Sequence, residues 1–306
     1  MREWVRAVGF YRGFLLVSFI PVSLGTALAW RLTGAFDLWL FLLAMISVWF
    51  FHAGTNLLND YYDHISGTDD INEVRTPFSG GTRVIQEGLL SPGQIMIAGY
   101  GAFAVGSLFF IWLAALVGWP ILALACFGFL SGWSYSARPV WLAYRGWGEL
   151  LIGLNFGPAL VLTGYFTQAR HFSGPAFLTG LIIGCWGAAI ITANEIPDFT
   201  ADEAVGKKNL VVRWGMARGL RIWAGLLYAG VGLLIGGVFL GWLPREMVLG
   251  VLVLPLLIRL VQRSHLGLLE LDETVATCAG TIKSEVFLWL LLMGGLLVGH
   301  FWGAAA

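Results

Sequence analysis

Two acidic clusters, each at one end of a very apolar segment, carry the chemistry legible in this chain. The first is Asn56-Leu57-Leu58-Asn59-Asp60-Tyr61-Tyr62-Asp63, followed by Asp69 and Asp70. The second is Asn194-Glu195-Ile196-Pro197-Asp198, followed by Asp202 and Glu203. Carboxylates at membrane depth are costly, so each marks a functional site by default. On a helix Asn56, Asp60 and Asp63 share a face, while Asn194, Asp198 and Asp202 recur every four residues. Pro197 lacks an N–H and ends or kinks its helix, and broken backbone in a membrane is tolerated only where it lines a cavity. Two faces of hard oxygen ligands converging on one cavity suit Mg2+ held between carboxylates and substrate phosphates. Such metals neutralise a diphosphate leaving group and let a carbon–oxygen bond ionise. The competing reading is that Asp and Asn merely cap helices at the water interface. Two clusters, each with an Asn four residues before an Asp, weigh against it.

The elements that must position these groups are membrane helices. Of 306 residues, 58% are hydrophobic and only 12% charged, against about a quarter charged in soluble domains. Net charge is zero, so no bulk electrostatic case for nucleic acid exists. Cys126, Cys185 and Cys278 lie far apart with no CxxC pair, which argues against a thiolate metal site or a disulfide framework. Apolar windows of about 20 residues fall near 13–31, 38–58, 95–117, 119–135, 149–168, 175–196, 220–241, 246–262 and 284–303. The expectation is an all-α polytopic protein with nine transmembrane helices in one bundle, a single domain over 1–306. Pro120, after Gly118-Trp119, suits a helix start in a tight hairpin. The first window follows Arg2 and Arg6 and ends Ala27-Leu28-Ala29, loosely like a signal peptide, but it is long enough to span.

Charge sets the orientation. With the N-terminus inside, the inner segments hold every Lys and Arg, Arg12 and Arg75 included, except Arg31, Arg170 and Arg245. The positive-inside rule is thus obeyed, and both clusters face the cytoplasm of a plasma (inner) membrane protein whose C-terminus is outside. The long loops, roughly 59–94, 136–148, 197–219 and 263–283, fall on that same face, where function concentrates.

Asn59-Asp60-Tyr61-Tyr62-Asp63 resembles the first motif, Asn-Asp-x-x-Asp-x-x-x-Asp, of the UbiA superfamily of intramembrane prenyltransferases. Asp198-Phe199-Thr200-Ala201-Asp202 resembles its second, and the run from Asn194 through Gly206-Lys207-Lys208-Asn209-Leu210-Val211-Val212-Arg213 resembles its context. One departure is that the last Asp of the first motif falls on Gly67, with Asp69 two residues later. That pattern, with Gly80-Gly81-Thr82-Arg83-Val84-Ile85-Gln86-Glu87-Gly88-Leu89, looks like the branch acting on 1,4-dihydroxy-2-naphthoate for menaquinone. Asn209, where that branch often has Thr, is a minor second departure.

The resemblance implies transfer of a polyprenyl group from its diphosphate to an aromatic acceptor, with Mg2+ as cofactor and the lipid bilayer as surroundings. It implies Asn59, Asp63, Asp69, Asp198 and Asp202 as metal ligands, with Asp60, Asp63, Asp198 and Asp202 as the catalytic carboxylates. Asn56, Asn194 and Tyr62 are expected at the substrate. Lys207, Arg83, Arg138 and Arg145 are candidates for the diphosphate oxygens, since Arg forks and Lys point charges both suit phosphate. Inner-loop arginines also serve as topology determinants. Tyr61, Tyr62, Phe156, Tyr165 and Trp186 are candidate faces for an allylic cation. His52 is read as a hydrogen-bonded core histidine in preference to a proton acceptor. A cation-coupled transporter would place carboxylates at midplane along a through-path, and the outer helix halves are nearly devoid of polar groups. The Asp-Gly-x-x-Ala-Arg signature of phosphatidyltransferases is absent. Other acceptors remain open: 4-hydroxybenzoate, homogentisate, a tetrapyrrole or a glycerol lipid.

Overall fold

The computed structural model describes residues 2–9, 14–74, 76–266 and 271–303; Arg12 and Arg75 lie outside them. A short α1 (Arg2–Ala7) precedes α2 (Phe14–Thr33), α3 (Leu38–Ser66), the single turn α4 (Thr68–Ile71), α5 (Pro92–Val117) and α6 (Ile121–Ser136). Next come α7 (Gly148–Leu154), a π turn (Asn155–Ala159), α8 (Leu160–Ala169) and α9 (Gly174–Asn194). Short α10 (Phe199–Ala204) and α11 (Leu210–Trp214) lead to α12 (Met216–Phe239), a 3-10 stretch (Arg245–Val253), α13 (Leu254–Leu266) and α14 (Leu271–Gly303). Among the described residues there is no strand, and each apolar window falls on helix. Among the described residues seven helices are long and apolar enough to cross a membrane by length and composition, and α6 is a shorter apolar helix.

Two boundaries differ from the hydropathy reading. The window ending at residue 58 belongs to a helix that continues to Ser66. Hydropathy drops where Asn59, Asp60 and Asp63 enter, but the backbone ladder does not need apolar side chains. The helix stops where Gly67 turns left-handed at φ 85°, with its N–H on His64 O, a conformation glycine adopts without steric cost. The expected loop over 263–283 is largely helix as well, because α14 begins at Leu271. Asp272 and Glu273 sit in its first turn, where negative charge complements the helix dipole.

One core gathers α9, α12 and α14 around the buried rings of Trp186 and Trp223. Their indole N–H groups donate to Ser284 Oγ at 2.9 Å and Thr281 Oγ1 at 3.0 Å. A second core joins α3, α5 and α6 through Phe51, Phe103 and Phe110. Between them α8 touches its neighbours backbone to backbone. A methyl group on Gly25 would overlap Val161 O, and one on Gly164 would overlap Val22 O. On the other side a methyl on Gly180 would lie 2.5 Å from Pro158 Cα in the π turn. Small residues allow such approach in membrane bundles. Pro158, lacking an N–H, removes a hydrogen bond from the ordinary ladder.

Glu285 on α14 is fully buried, and neither of its carboxyl oxygens has a hydrogen-bond partner. An unpartnered buried polar group costs about 1–3 kcal/mol. Glu285→Leu is therefore expected to raise the midpoint of thermal unfolding in detergent by several degrees; a lower midpoint would show that the carboxyl has a stabilising role.

Candidate active site

Helix α3 presents Asn56, Asn59, Asp60 and Asp63 to one side of a cavity of about 210 Å3. The turn at Gly67 ends that helix, and α4 then swings Asp69 into the same wall. A carboxylate at position 67 would sit on a left-handed residue; two residues later the chain delivers one from a helical turn. Opposite, the end of α9 and the start of α10 supply Asn194, Glu195, Asp198 and Asp202, and the turn after α10 supplies Lys207. Helix α9 ends at Asn194, three residues before Pro197, and the break lies on the cavity.

Each carboxylate is held by neighbours. Asp63 Oδ1 accepts from Tyr144 OH at 2.8 Å, and Oδ2 from Asn59 Nδ2 at 3.1 Å. The same Asn59 amide donates to Ser136 Oγ at 3.0 Å. Asp60 accepts from the backbone N–H of Thr82 at 3.3 Å and from its hydroxyl. Asp198 Oδ1 accepts from Asn72 Nδ2 at 2.8 Å and Oδ2 from Gly80 N at 3.4 Å. Asp202 Oδ2 accepts from Asn209 Nδ2 at 2.6 Å, while Asn209 Oδ1 caps α11 through Val212 N at 2.8 Å. Lys207 Nζ lies 3.4 Å from Asp202 Oδ1 and 3.7 Å from Asp63 Oδ2, tying the two clusters together. Burial disfavours the Lys207 charge, but the Asp63 and Asp202 carboxylates outweigh it and hold the ammonium well above the usual lysine range.

The donor set fits Mg2+ shared with a phosphorylated substrate. The side chains are carboxylates and amides, and the buried Oδ1 atoms of Asn194 and Asp202 accept no hydrogen bond. Among the described residues no three His, Cys, Asp or Glu side chains form a ready cage. Mg2+ characteristically keeps several waters and takes substrate phosphate oxygens together with one or two carboxylates.

Burial pushes Asp69 up to about 8, with Asp63 and Asp60 adding to the effect. Burial likewise pushes Asp202 up to about 7 against the pull of Lys207. Both titrate near 3.8 when unperturbed. Between those values the folded metal-free protein holds more protons than the unfolded chain, so its stability falls as pH rises from about 4 to about 8. A divalent cation must displace those protons and binds more tightly as they leave. Added Mg2+ is expected to raise the thermal midpoint more at about pH 8.5 than at about pH 6; equal gains at both would exclude Asp69 and Asp202 as its ligands.

The acidic cavity continues into an apolar one of about 70 Å3, walled by Val48, Phe51, Phe110, Leu124 and Leu160. His52, Thr55, Tyr135, Ile152 and Phe156 line both. His52 Nδ1 pairs with Ser18 Oγ at 2.5 Å, so the histidine is hydrogen-bonded in the core and also stands at the junction.

Four residues expected at the substrate do not line the cavity. Arg83, at φ 61°, donates to the carbonyls of Asp69 at 2.9 Å and Asn72 at 3.3 Å, bracing the α4 turn. Arg138 lies over the Trp141 ring at 4.2 Å, and Arg145 donates to Pro139 O at 2.8 Å. The Tyr62 hydroxyl meets that of Tyr100 at 3.4 Å. Of the aromatic faces, Phe156 lines both cavities, whereas Tyr165 and Trp186 are buried in the core. Conversely, Tyr135, Ser136, Tyr144, Asn72, Thr82 and Asn209 serve the site without being expected there from sequence. Only Asn209, an Asn just before an apolar run, carries a cap signal; the others are brought in by tertiary folding.

A profile of the UbiA prenyltransferase family matches residues 18–268. The chain is 28% identical over 291 residues to the 1,4-dihydroxy-2-naphthoate octaprenyltransferase of Bacillus subtilis, covering 94% of this chain and 90% of that protein. It is 31% identical over 208 residues to the protein of the same name from Mycobacterium tuberculosis, 68% of each. Among solved structures, a UbiA homolog from Archaeoglobus fulgidus bound to DMAPP and Mg2+ superposes with a TM-score of 0.62 at 16% identity, over 94% of this chain and 98% of that one. A UbiA homolog from Aeropyrum pernix K1 gives 0.65 at 16% identity, over 92% and 96%. At such identity the likeness is one of fold. The matched region contains both acidic clusters and the helices that carry them, and the chain belongs to the UbiA prenyltransferase family, a family of transferases.

Proposed function

We propose that the protein transfers a polyprenyl group from polyprenyl diphosphate to 1,4-dihydroxy-2-naphthoate, as in menaquinone biosynthesis. The observation that carries this is one cavity in which two carboxylate clusters meet at Lys207 and which continues into an apolar chamber. The polar first part suits a diphosphate, and the apolar walls of the second suit the hydrocarbon next to it. The naphthoate follows from the names of the Bacillus and Mycobacterium relatives and from the form of the first motif.

In this reading Asn59, Asp63, Asp69, Asp198 and Asp202 hold Mg2+, which when bound neutralises charge on the departing diphosphate. Lys207 binds diphosphate oxygens as a fixed point charge. Asn56 and Asn194 face the substrate, and Asp60 keeps the Thr82 loop in position. As the C1–O bond breaks, the rings of Phe156 and Tyr135 present π faces to the allylic cation, and the surrounding apolar wall keeps water from quenching it. Topology follows the charge bias: nine spans, N-terminus and site loops in the cytoplasm, C-terminus outside, in the plasma (inner) membrane, as one domain over 1–306.

The test is a membrane assay with geranylgeranyl diphosphate, Mg2+ and either 1,4-dihydroxy-2-naphthoate or 4-hydroxybenzoate. Prenylation of the naphthoate alone is expected. Prenylation of the benzoate alone would keep the transfer and overturn the acceptor. Transfer to neither, with no diphosphate released, would overturn both.

A further inference from the structure

The chain between α4 and α5 enters the cavity wall through Phe78, Ser79, Gly80, Gly81 and Thr82. It then closes into a tight turn. Glu87 N donates to Arg83 O at 3.0 Å, Gly88 N to Ile85 O at 2.9 Å and Leu89 N to Val84 O at 2.9 Å. Side chains of this turn reach the first carboxylate cluster at several points. Thr82 holds Asp60 of α3 through its backbone N–H and its hydroxyl. Arg83 holds the carbonyls of Asp69 and Asn72, and Gln86 Nε2 donates to Asp70 Oδ1 at 3.1 Å. A shift of the turn therefore pulls on Asp60 and Asp69 together.

The short helix α1 holds the same turn from outside the cavity. Arg6 Nη1 donates to Glu87 Oε2 and Nη2 to Oε1, each at 2.7 Å. Such a two-point contact fixes orientation as well as distance. The next residue, Ala7, is buried with Leu57 of α3 and with Val84, Ile85 and Leu90, and Val8 and Tyr61 pack on the same cluster. Asn56, which lines the cavity, donates its Nδ2 to Val8 O at 3.3 Å. The Asp60 carboxylate also attracts the Arg6 guanidinium. No residue of α1 lines the cavity, yet α1 touches both α3 and the turn. The Arg6 and Glu87 side chains are 37% and 38% exposed, and an ion pair so open to water adds little to overall stability. Its effect lies in the two segments it joins.

Resting on the activity proposed above, we propose that Arg6 is a positioning residue for the diphosphate half of the site. Through Glu87 it fixes the 82–87 turn, and through that turn it sets Asp60 and Asp69 against the opposite cluster. The turn's side-chain contacts go to the first carboxylate cluster and its α4 backbone. Loss of the pair therefore falls on the requirement for Mg2+ and diphosphate, and not on that for the aromatic acceptor.

Wild-type full-length protein, Arg6→Glu and the charge swap Arg6→Glu/Glu87→Arg would be compared in two measurements. The first is transfer from geranylgeranyl diphosphate to the naphthoate, titrating each substrate and Mg2+. Arg6→Glu is expected to need about tenfold more Mg2+ and diphosphate for half-maximal transfer, the lower end of the loss when support of a metal site is removed. Its naphthoate requirement should stay close to wild type. The second is amide hydrogen exchange without Mg2+ or substrate. Exchange over residues 82–90 should be about tenfold faster in Arg6→Glu, as for a segment that opens locally, with α9 and α12 unchanged. The swap should recover most of both effects, because the pair re-forms with its ends exchanged. Wild-type Mg2+ and diphosphate requirements in Arg6→Glu would overturn the proposal. So would unchanged exchange over 82–90, exchange faster throughout α9 and α12 as well, or a swap no better than Arg6→Glu. Wild-type protein that prenylates no aromatic acceptor would overturn the activity and the catalytic part of this role, while the exchange measurement would still decide whether Arg6 fixes the turn.

Discussion

Asp63→Asn and Asp198→Asn are each expected to reduce prenyl transfer about a thousandfold or more, the scale on which removing charge stabilisation from a transition state acts. Each substitution keeps the side chain's shape and removes its charge. At Asp63 the amide can still meet Tyr144 OH, which approaches Oδ1 at 2.8 Å, but Lys207 loses a counterion 3.7 Å away. At Asp198 the Asn72 contact of 2.8 Å has an acceptor left. Local structure should therefore survive while the site loses affinity for divalent cation. The measurement is steady-state transfer over a wide Mg2+ range, with the thermal midpoint recorded beside it. A rate within tenfold of wild type and an unchanged Mg2+ requirement would show that the carboxylates only cap and brace their helices.

Gly25→Val and Gly164→Val should each cost about 3 kcal/mol of stability, the upper part of the range for overpacking. In ordinary overpacking a flexible side chain yields. Here the added atoms meet Val161 O or Val22 O, backbone that moves only if two helices separate. Gly101→Ala is the control, since nothing lies within 4 Å of its added methyl. It should be neutral or stabilising, by about 1 kcal/mol at most. Tryptophan fluorescence during thermal unfolding in detergent reads both, with 15 Trp in the chain. Equal midpoints for Gly164→Val and Gly101→Ala would mean that α2 and α8 are not in backbone contact.

Much of this architecture is legible in the amino-acid sequence, because a bilayer leaves few solutions. Each apolar window falls on helix, and the two acidic clusters stand out because carboxylates are rare in such surroundings. Legibility ends where a side chain's partner lies far along the chain. Nothing local tells that Tyr144 reaches Asp63, that Thr82 holds Asp60, or that Asn72 holds Asp198. The arginines mislead for the converse reason. A guanidinium near a phosphate site suggests a ligand, yet Arg83 satisfies backbone carbonyls and Arg138 lies on an indole. Helix ends are misjudged wherever hydropathy stands in for hydrogen bonding, as at Asn59–Ser66 and at the start of α14.

The backbone contact of α8 with α2, and of the π turn with α9, stiffens one side of the apolar chamber. The wall formed by Asn155, Phe156, Ala159 and Leu160 shifts only if three helices shift at once. The facing wall of Val48, Phe51, Phe110 and Leu124 is held as firmly: an added methyl on Gly54 of α3 would lie 3.0 Å from Gly99 O of α5, and Phe51 packs against Phe103 and Phe110. Under the activity proposed above, a tail longer than the chamber is then expected to leave the bundle and not to spread its walls. Enlarging the chamber from either side should cost stability before it changes tail length.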